Sequence, residues 1–228
     1  LQGGAPITEF VALEQGERAV TLTSLAEDSF GLALGTTAGV VKRVQPDLLT
    51  NKEAWDVIRL DEGDEVIGGV ELHHPDDELV FITSDAQLLH FPASVVRPQG
   101  RPGGGIAGVR TAAGARVISF GAIDPSDNNV VVTVAGSSDA LPGTESGTVK
   151  VTPFSEYPGK GRGTGGVRCH RFLKGEDTLL VAFAGPAPAK AAAASGAPVD
   201  LPEEHGRRDG SGTMAAQPIL AITGTLRR

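Results

Sequence analysis

Two glycine-rich stretches hold the side chains in this sequence best suited to binding chemistry. One covers residues 97–110 and reads Arg-Pro-Gln-Gly-Arg-Pro-Gly-Gly-Gly-Ile-Ala-Gly-Val-Arg. The other covers residues 157–168 and reads Tyr-Pro-Gly-Lys-Gly-Arg-Gly-Thr-Gly-Gly-Val-Arg, so both end in Gly-Val-Arg. Glycine lets a backbone pass close to a phosphate with its N–H groups free to donate, and interleaved arginine and lysine supply counter-charge. Arg97, Arg101, Arg110, Lys160, Arg162 and Arg168 are therefore candidate phosphate contacts. Both stretches also fit Gly-x-Gly-x-x-Gly, at Gly103/Gly105/Gly108 and Gly161/Gly163/Gly166. A dinucleotide site needs a strand before that motif and a helix after it, and here β-type residues follow.

Other chemistry has little support. His73 and His74 precede Pro75-Asp76-Asp77-Glu78, a solvated turn between repeat elements rather than a ligand set. Residues 124–129 lack the spacing and final glutamate of a calcium loop and read as a hairpin connection. Cys169 and His170 are adjacent in an extended run, which sends them to opposite faces and opposes a Cys–His nucleophilic pair. There is no Gly-x-Ser-x-Gly elbow and no P-loop, so no catalytic residue, metal site or cofactor is expected. Aromatic residues make up 4%, too few for a single-strand binder built on base stacking.

These loops sit within a repeat. A turn followed by a β-rich run occurs around Gly16, Gly63, Gly114 and Gly175, spaced by 47, 51 and 61 residues. An alternating stretch precedes each turn, as at residues 55–60 and 167–172, and the pair reads as a hairpin. Between these lie second elements: residues 30–35 with 40–44, 79–83 with 88–91, and 130–134 with 148–151. The third has its turn lengthened by residues 136–147. Together they predict an all-β, propeller-like fold of roughly four-stranded blades at a period near fifty residues. Residues 185–217, rich in Ala, Gly and Pro, read as a low-complexity linker or insertion within a single domain spanning 1–228. The apolar run at 218–223 is expected to return and complete the blade begun at the N-terminus. Only residues 47–55 suggest a short helix, capped by Asp47 or Thr50.

Composition sets limits on partners and compartment. The 228 residues include 31 glycines, 15 prolines and one cysteine, and the net charge is −8. One cysteine rules out an internal disulfide framework and fits a reducing compartment, so a soluble cytoplasmic protein with no membrane partner is expected. The charge is segregated. Residues 97–174 hold ten basic and five acidic side chains, while residues 1–96 hold five basic and seventeen acidic ones. A polyanion responds to local potential over a Debye length of ~8–10 Å, so the basic segment counts for more than the total. A propeller binding proteins through its acidic 1–96 region, and an enzyme using a propeller channel, are the rival readings.

The residues 99–105, Gln-Gly-Arg-Pro-Gly-Gly-Gly, resemble a degenerate gyrase A box, the motif Gln-Arg-Arg-Gly-Gly-Lys-Gly. Gln99, Arg101, Gly103 and Gly105 match; Gly100, Pro102 and Gly104 replace an arginine, a glycine and a lysine. The repeat over residues 4–184 is likewise similar to the C-terminal domain of bacterial type II topoisomerase A subunits. That resemblance implies a β-pinwheel, part of a larger protein, that binds, bends and wraps double-stranded DNA on a basic rim. It adds Gln99, Gly103 and Gly105 to the DNA-binding candidates. It places cleavage and ATP hydrolysis elsewhere, on the A-subunit N-terminal catalytic region and the B subunit. The weakened box suggests topoisomerase IV over DNA gyrase, and hence DNA presentation for strand passage in the bacterial nucleoid.

Overall fold

Alternating apolar positions on either side of a tight turn fold as the predicted antiparallel pairs. These are β1 (Leu32–Thr36) with β2 (Val40–Val44), β4 (Glu78–Thr83) with β5 (Gln87–Pro92), and β9 (Asn129–Gly136) with β10 (Thr148–Pro153). The first two turns need a left-handed residue before the second strand, supplied by Gly39 at φ +88° and Ala86 at φ +60°. A shorter pair, β13 (Lys190–Ala192) with β14 (Pro198–Val199), starts a fourth sheet. The computed structural model describes residues 4–24, 29–45, 52–141, 143–203 and 207–225.

The glycine turns do not close hairpins. Those at Gly114 and Gly175 carry the chain from one sheet into the next. β7 (Ile106–Ala107), before the turn at Gly114, pairs with β2; β8 (Val117–Ile123), after it, pairs with β4. The same exchange separates β11 (Val167–Arg168), which pairs with β5, from β12 (Thr178–Pro186), which pairs with β9. β3 (Val66–Glu71) on β1 and β16 (Ala221–Thr223) on β13 occupy the same place in their sheets. Each of the first three sheets is thus closed by chain that has already built the next sheet's hairpin. β6 (Pro98–Gln99) and β7 cover the free edge of β2, β11 that of β5, and β15 (Thr213–Met214) that of β10. Exchange covers edges that would otherwise remain open for pairing. The result is an all-β pinwheel with sheet orders β3-β1-β2-β6/β7, β11-β5-β4-β8, β12-β9-β10-β15 and β14-β13-β16.

Sheets buried on both faces hold this arrangement together. Along β4, Leu79 and Phe81 face a cluster with Ala33, Val41 and Phe91, whereas Val80 and Ile82 face another with Ile123, Val131 and Cys169. A third cluster, with Val130, Val132, Val149 and Ala191, lies between the third and fourth sheets. Every core therefore sits at a junction between successive blades. Each fully buried Leu, Ile, Val or Phe contributes roughly 1.5–3 kcal/mol.

Four expectations change. Residues 185–217 carry the end of β12 and all of β13, β14 and β15, so they are blade rather than linker. Their alanines pack at a sheet junction, Ala191 and Ala215 being buried in the third cluster, but alanine gives little polar–apolar contrast to read. The run at 218–223 ends in β16 beside β13, not at the N-terminal blade. Residues 55–60 form no strand, and the turn at 124–129 joins two sheets instead of closing a hairpin. The predicted helix at 47–55, with its Asp47 or Thr50 cap, lies largely outside the described residues, and residues 52–55 are not helical.

Candidate nucleic-acid interface

The box-like stretch turns around a buried cation. β6 runs parallel to the end of β2, pairing Arg43 with Pro98 and Val44 with Gln99; β7 runs antiparallel to its start, pairing Val41 with Ile106. Residues 100–105 bulge between them, opposite Lys42. The Lys42 side chain, 0% exposed, donates to the carbonyls of Gly100 at 2.8 Å, Arg101 at 3.0 Å and Gly103 at 2.7 Å. All three ammonium donors are used. Burial lowers the Lys42 pKa, and the carbonyl dipoles keep the charge tolerable. Gln99 ties the loop from inside, its Oε1 accepting from Gly105 N at 3.0 Å. A Cβ on Gly103 would lie 2.5 Å from that Oε1, and one on Gly105 (φ +83°) 2.7 Å from Val41 O. Of the residues matched to the box, Gln99, Gly103 and Gly105 shape the turn, while Arg101 is its half-buried cation.

The same construction recurs in the third blade. Lys150, 2% exposed, follows Val149 as Lys42 follows Val41, and it donates to Arg207 O at 3.1 Å and to Arg208 O. Burial pushes its pKa down to about 8. In the second blade Leu89 holds this position, and the loop instead bonds through Lys160 N to His90 O at 3.2 Å. Lys150, one of the ten cations of the basic segment, is thus a buried prop and adds nothing to its surface.

Neighbouring loops are stitched by a repeated bond. Arg59 N donates to Gly103 O at 3.3 Å, Arg110 N to Thr164 O at 3.0 Å, and Arg171 N to Gly210 O at 3.0 Å. Each of these arginines stands four residues before a turn glycine, Gly63, Gly114 or Gly175. A second tie uses the loop's own arginine: Arg162 Nη1 reaches Ala107 O at 2.5 Å and Arg208 Nη1 reaches Arg168 O at 3.1 Å. In each of the first three sheets an exposed arginine (Arg59, Arg110 or Arg171) is thus bonded through its backbone N–H to a loop that carries a further arginine (Arg101, Arg162 or Arg208). A guanidinium carries five donors, so one carbonyl bond leaves it able to face a phosphate.

Of the predicted contacts, Arg97, Arg110, Lys160, Arg162 and Arg168 are exposed. The two glycine-basic loops adjoin, through Gly163 N to Gly108 O at 2.6 Å as well as the Arg110 bond. Sequence reasoning misses the placement of Arg59, Arg207 and Arg208 beside these loops and the use of Lys42 and Lys150 as props. The signal for Arg59 is its four-residue spacing to Gly63, and that for the lysines is the shared Val-Lys step in β2 and β10.

Behind the third-blade loop, Gly212 N donates to His170 Nε2 at 3.2 Å, which puts the imidazole proton on Nδ1, 2.9 Å from Thr133 Oγ1. Burial, with the Lys150 charge, pushes the His170 pKa down to about 4. The folded state holds a neutral imidazole, while the unfolded chain takes up a proton below its ordinary pKa of 6.5. Stability is full above pH 6.5 and should fall by about 1.4 kcal/mol per pH unit between there and about 4. Urea midpoints at pH 7, 6 and 5 should show this slope, and His170→Gln should remove it; an unchanged slope would place the titration elsewhere. Cys169 lies in the second core cluster, its thiol pushed up to about 12 by burial, and is inert as a nucleophile at neutral pH. His73 and His74 are exposed, their backbone N–H groups both capped by Asp77 Oδ2 at 2.7 and 3.0 Å.

Interlocked blades define a β-pinwheel, and three of its four sheets carry an arginine-bearing loop stitched to a further arginine. The family model described as "DNA gyrase C-terminal domain, beta-propeller" matches residues 77–124 and 143–183. The DNA gyrase A protein of Escherichia coli (strain K12) is 32% identical over 168 residues, 72% of this chain and 18% of that protein. Its counterpart in Aminobacterium colombiense is 35% identical over 167 residues, 72% of this chain and 19% of that protein. The chain therefore spans about a fifth of the length of these relatives. Its fold is similar to the C-terminal domain of DNA topoisomerase IV (TM-score 0.75, 16% identity, 96% of this chain and 70% of that one). It is also similar to the DNA gyrase A C-terminal domain (TM-score 0.72, 18% identity, 96% of this chain and 74% of that one). The chain belongs to the C-terminal domain family of bacterial type II topoisomerase A subunits, gyrase or topoisomerase IV type.

Proposed function

We propose that this domain binds duplex DNA along its rim and bends it without cutting it, presenting DNA for strand passage in a topoisomerase IV-type A subunit. The observation that carries this reading is the arginine-bearing loop repeated in three successive sheets, each tied by the same backbone bond to a further arginine. Phosphate contacts of this kind position a duplex without reading bases, so sequence preference should be slight. Cleavage and ATP hydrolysis would belong to the A-subunit N-terminal catalytic region and the B subunit, the domain's protein partners, in the bacterial cytoplasm. The domain itself would need no cofactor. Loss of basic residues at Gly100 and Gly104 favours decatenation and relaxation over strong chiral wrapping. The sequence identity to gyrase A proteins favours a second reading, in which the rim wraps DNA for negative supercoiling.

Gel-shift titration of linear duplexes tests both readings. If contact is spread over the loops, Arg101→Ala should weaken binding a few-fold and flatten the salt slope by about 0.9. Lys160→Ala with Arg162→Ala should cost more, flattening the slope by about 1.8. Collapse on Arg101→Ala with the double variant unaffected would favour a gyrase-like domain dominated by its box. Equal, salt-independent losses would signal structural damage and count against the rim.

A further inference from the structure

The end strands of all four sheets, β3, β8, β12 and β16, converge with Thr21 and Leu22 on a central cavity of about 520 Å³. We propose that this cavity binds a small organic cation, a primary ammonium carried on an apolar, ring-bearing body. Its described lining residues lie outside the loops at 97–110, 157–168 and 207–212, so the inference goes beyond the DNA reading and does not rest on it.

The cavity exists because these strands pair on one side only. β4 and β9, flanked on both sides, are buried along nearly all their length, whereas the middle of β3, β8 and β12 stays half-exposed. Val70, Phe120, Ala122 and Phe183 therefore keep apolar surface open to the cavity. Leu22, at its edge, is 91% exposed. Apolar surface left in water favours an occupant that covers it, and the volume falls in the ~300–1,000 Å³ range of small-ligand sites. Gly121 leaves further room: a Cβ there would meet no heavy atom within 4 Å, and its φ lies outside the left-handed region.

The polar part of the lining selects the sign of charge. Glu71 and Asp77 are its carboxylates, His73 is exposed, and no lysine or arginine stands among the described lining residues. Glu71 is held ionised: its Oε1 accepts from Ser24 Oγ at 2.6 Å and its Oε2 from Ser24 N at 2.9 Å, and these bonds push its pKa down to about 2. A carboxylate has about four lone-pair sites, so Glu71 can still accept from an ammonium. Asp77 is 1% exposed and spends Oδ2 on the backbone N–H groups of His73 and His74, so it adds field rather than a contact. Aromatic walls strengthen the preference, since a phenyl face attracts a cation. An anion would meet two carboxylates without an arginine or lysine to answer it.

Calorimetric titration of the intact chain with three indoles tests this: tryptamine, the neutral tryptophol and the anion indole-3-propionate. Tryptamine should bind one-to-one and about five- to tenfold more tightly than tryptophol, the advantage of a charge-assisted hydrogen bond, with indole-3-propionate weakest. Glu71→Gln keeps an acceptor for Ser24 and should bring tryptamine down to the level of tryptophol. Gly121→Ile fills the cavity from a position free of clashes, and should abolish binding of all three without lowering the melting temperature. Equal affinity for tryptamine and indole-3-propionate, or tryptamine binding that survives Gly121→Ile, would overturn the assignment. So would equally tight binding of spermidine, a polycation without a ring, which would mark a general affinity for cations. Tryptamine binding at full strength in Glu71→Gln would overturn it whatever the fate of Gly121→Ile, as would no binding at millimolar tryptamine. Each of these results leaves the rim untouched, because the rim is judged by the salt dependence of duplex binding.

Discussion

Phe81→Ala is expected to lower the stability of this domain by about 3–5 kcal/mol, the range for emptying a buried aromatic site. Phe81 is 0% exposed in the middle of β4 and lies at the junction of the first two blades. Its ring centroid is 4.7 Å from Phe120 on β8 and 6.2 Å from Phe91 on β5. Two glycines make room for these rings. A Cβ on Gly35 would stand 2.3 Å from Phe120 Cγ, and one on Gly108 would stand 2.8 Å from Phe81 Cζ. A site shaped by backbone on two sides collapses poorly, which argues for the upper part of the range. Phe81→Leu keeps most of the volume and should cost under about 2 kcal/mol. Since Gly108 belongs to the glycine-basic loop, the alanine variant should also loosen the rim behind Arg110. Urea unfolding midpoints measure the first effect; a loss below about 1 kcal/mol for Phe81→Ala would mean that the blades do not depend on their junctions.

Much of this architecture can be read from residue pattern alone. The strands of the β1–β2, β4–β5 and β9–β10 hairpins follow from period-2 alternation and the short turns between them. The expectation that residues 97–110 and 157–168 could hold phosphates follows from glycine interleaved with cations. What pattern cannot assign is partner choice. Alternation says that a strand has two faces, not which sheet it joins, so β7 and β8 look like one hairpin although they pair with β2 and β4. Low-contrast strands are also hidden: Lys190-Ala191-Ala192 offers one small apolar side chain to the core, and only its pairing with β14 and β16 marks it as a strand.

Charge is legible as composition but not as position. Lys42 and Lys150 read as surface cations and are in fact the props of two loops, because an ammonium surrounded by carbonyls is a rare use of lysine. Arg59 is masked by an acidic stretch of sequence, yet its backbone bond to Gly103 sets it on the same rim as Arg110 and Arg171. Arg207 and Arg208 stand in a segment whose alanine- and proline-rich flanks suggest a linker. Folding places them in the register of the box, and that placement comes from β15 pairing with β10.

The affinity of the intact chain for a linear duplex, followed as salt is raised from 50 to 200 mM, tests the central claim of a DNA-binding rim most directly. The three arginine-bearing loops and the arginines tied to them offer the cations, and neutralisation of ~4–6 phosphates gives a slope of log affinity against log salt of roughly −4 to −5. Over that range the affinity should fall roughly 250- to 1000-fold, and the fall should be the same for duplexes of unrelated sequence. Length should matter more than sequence, because a longer duplex can follow the rim from Arg59 and Arg101 to Arg171 and Arg208. A flat salt response, or no binding at 50 mM, would contradict the account.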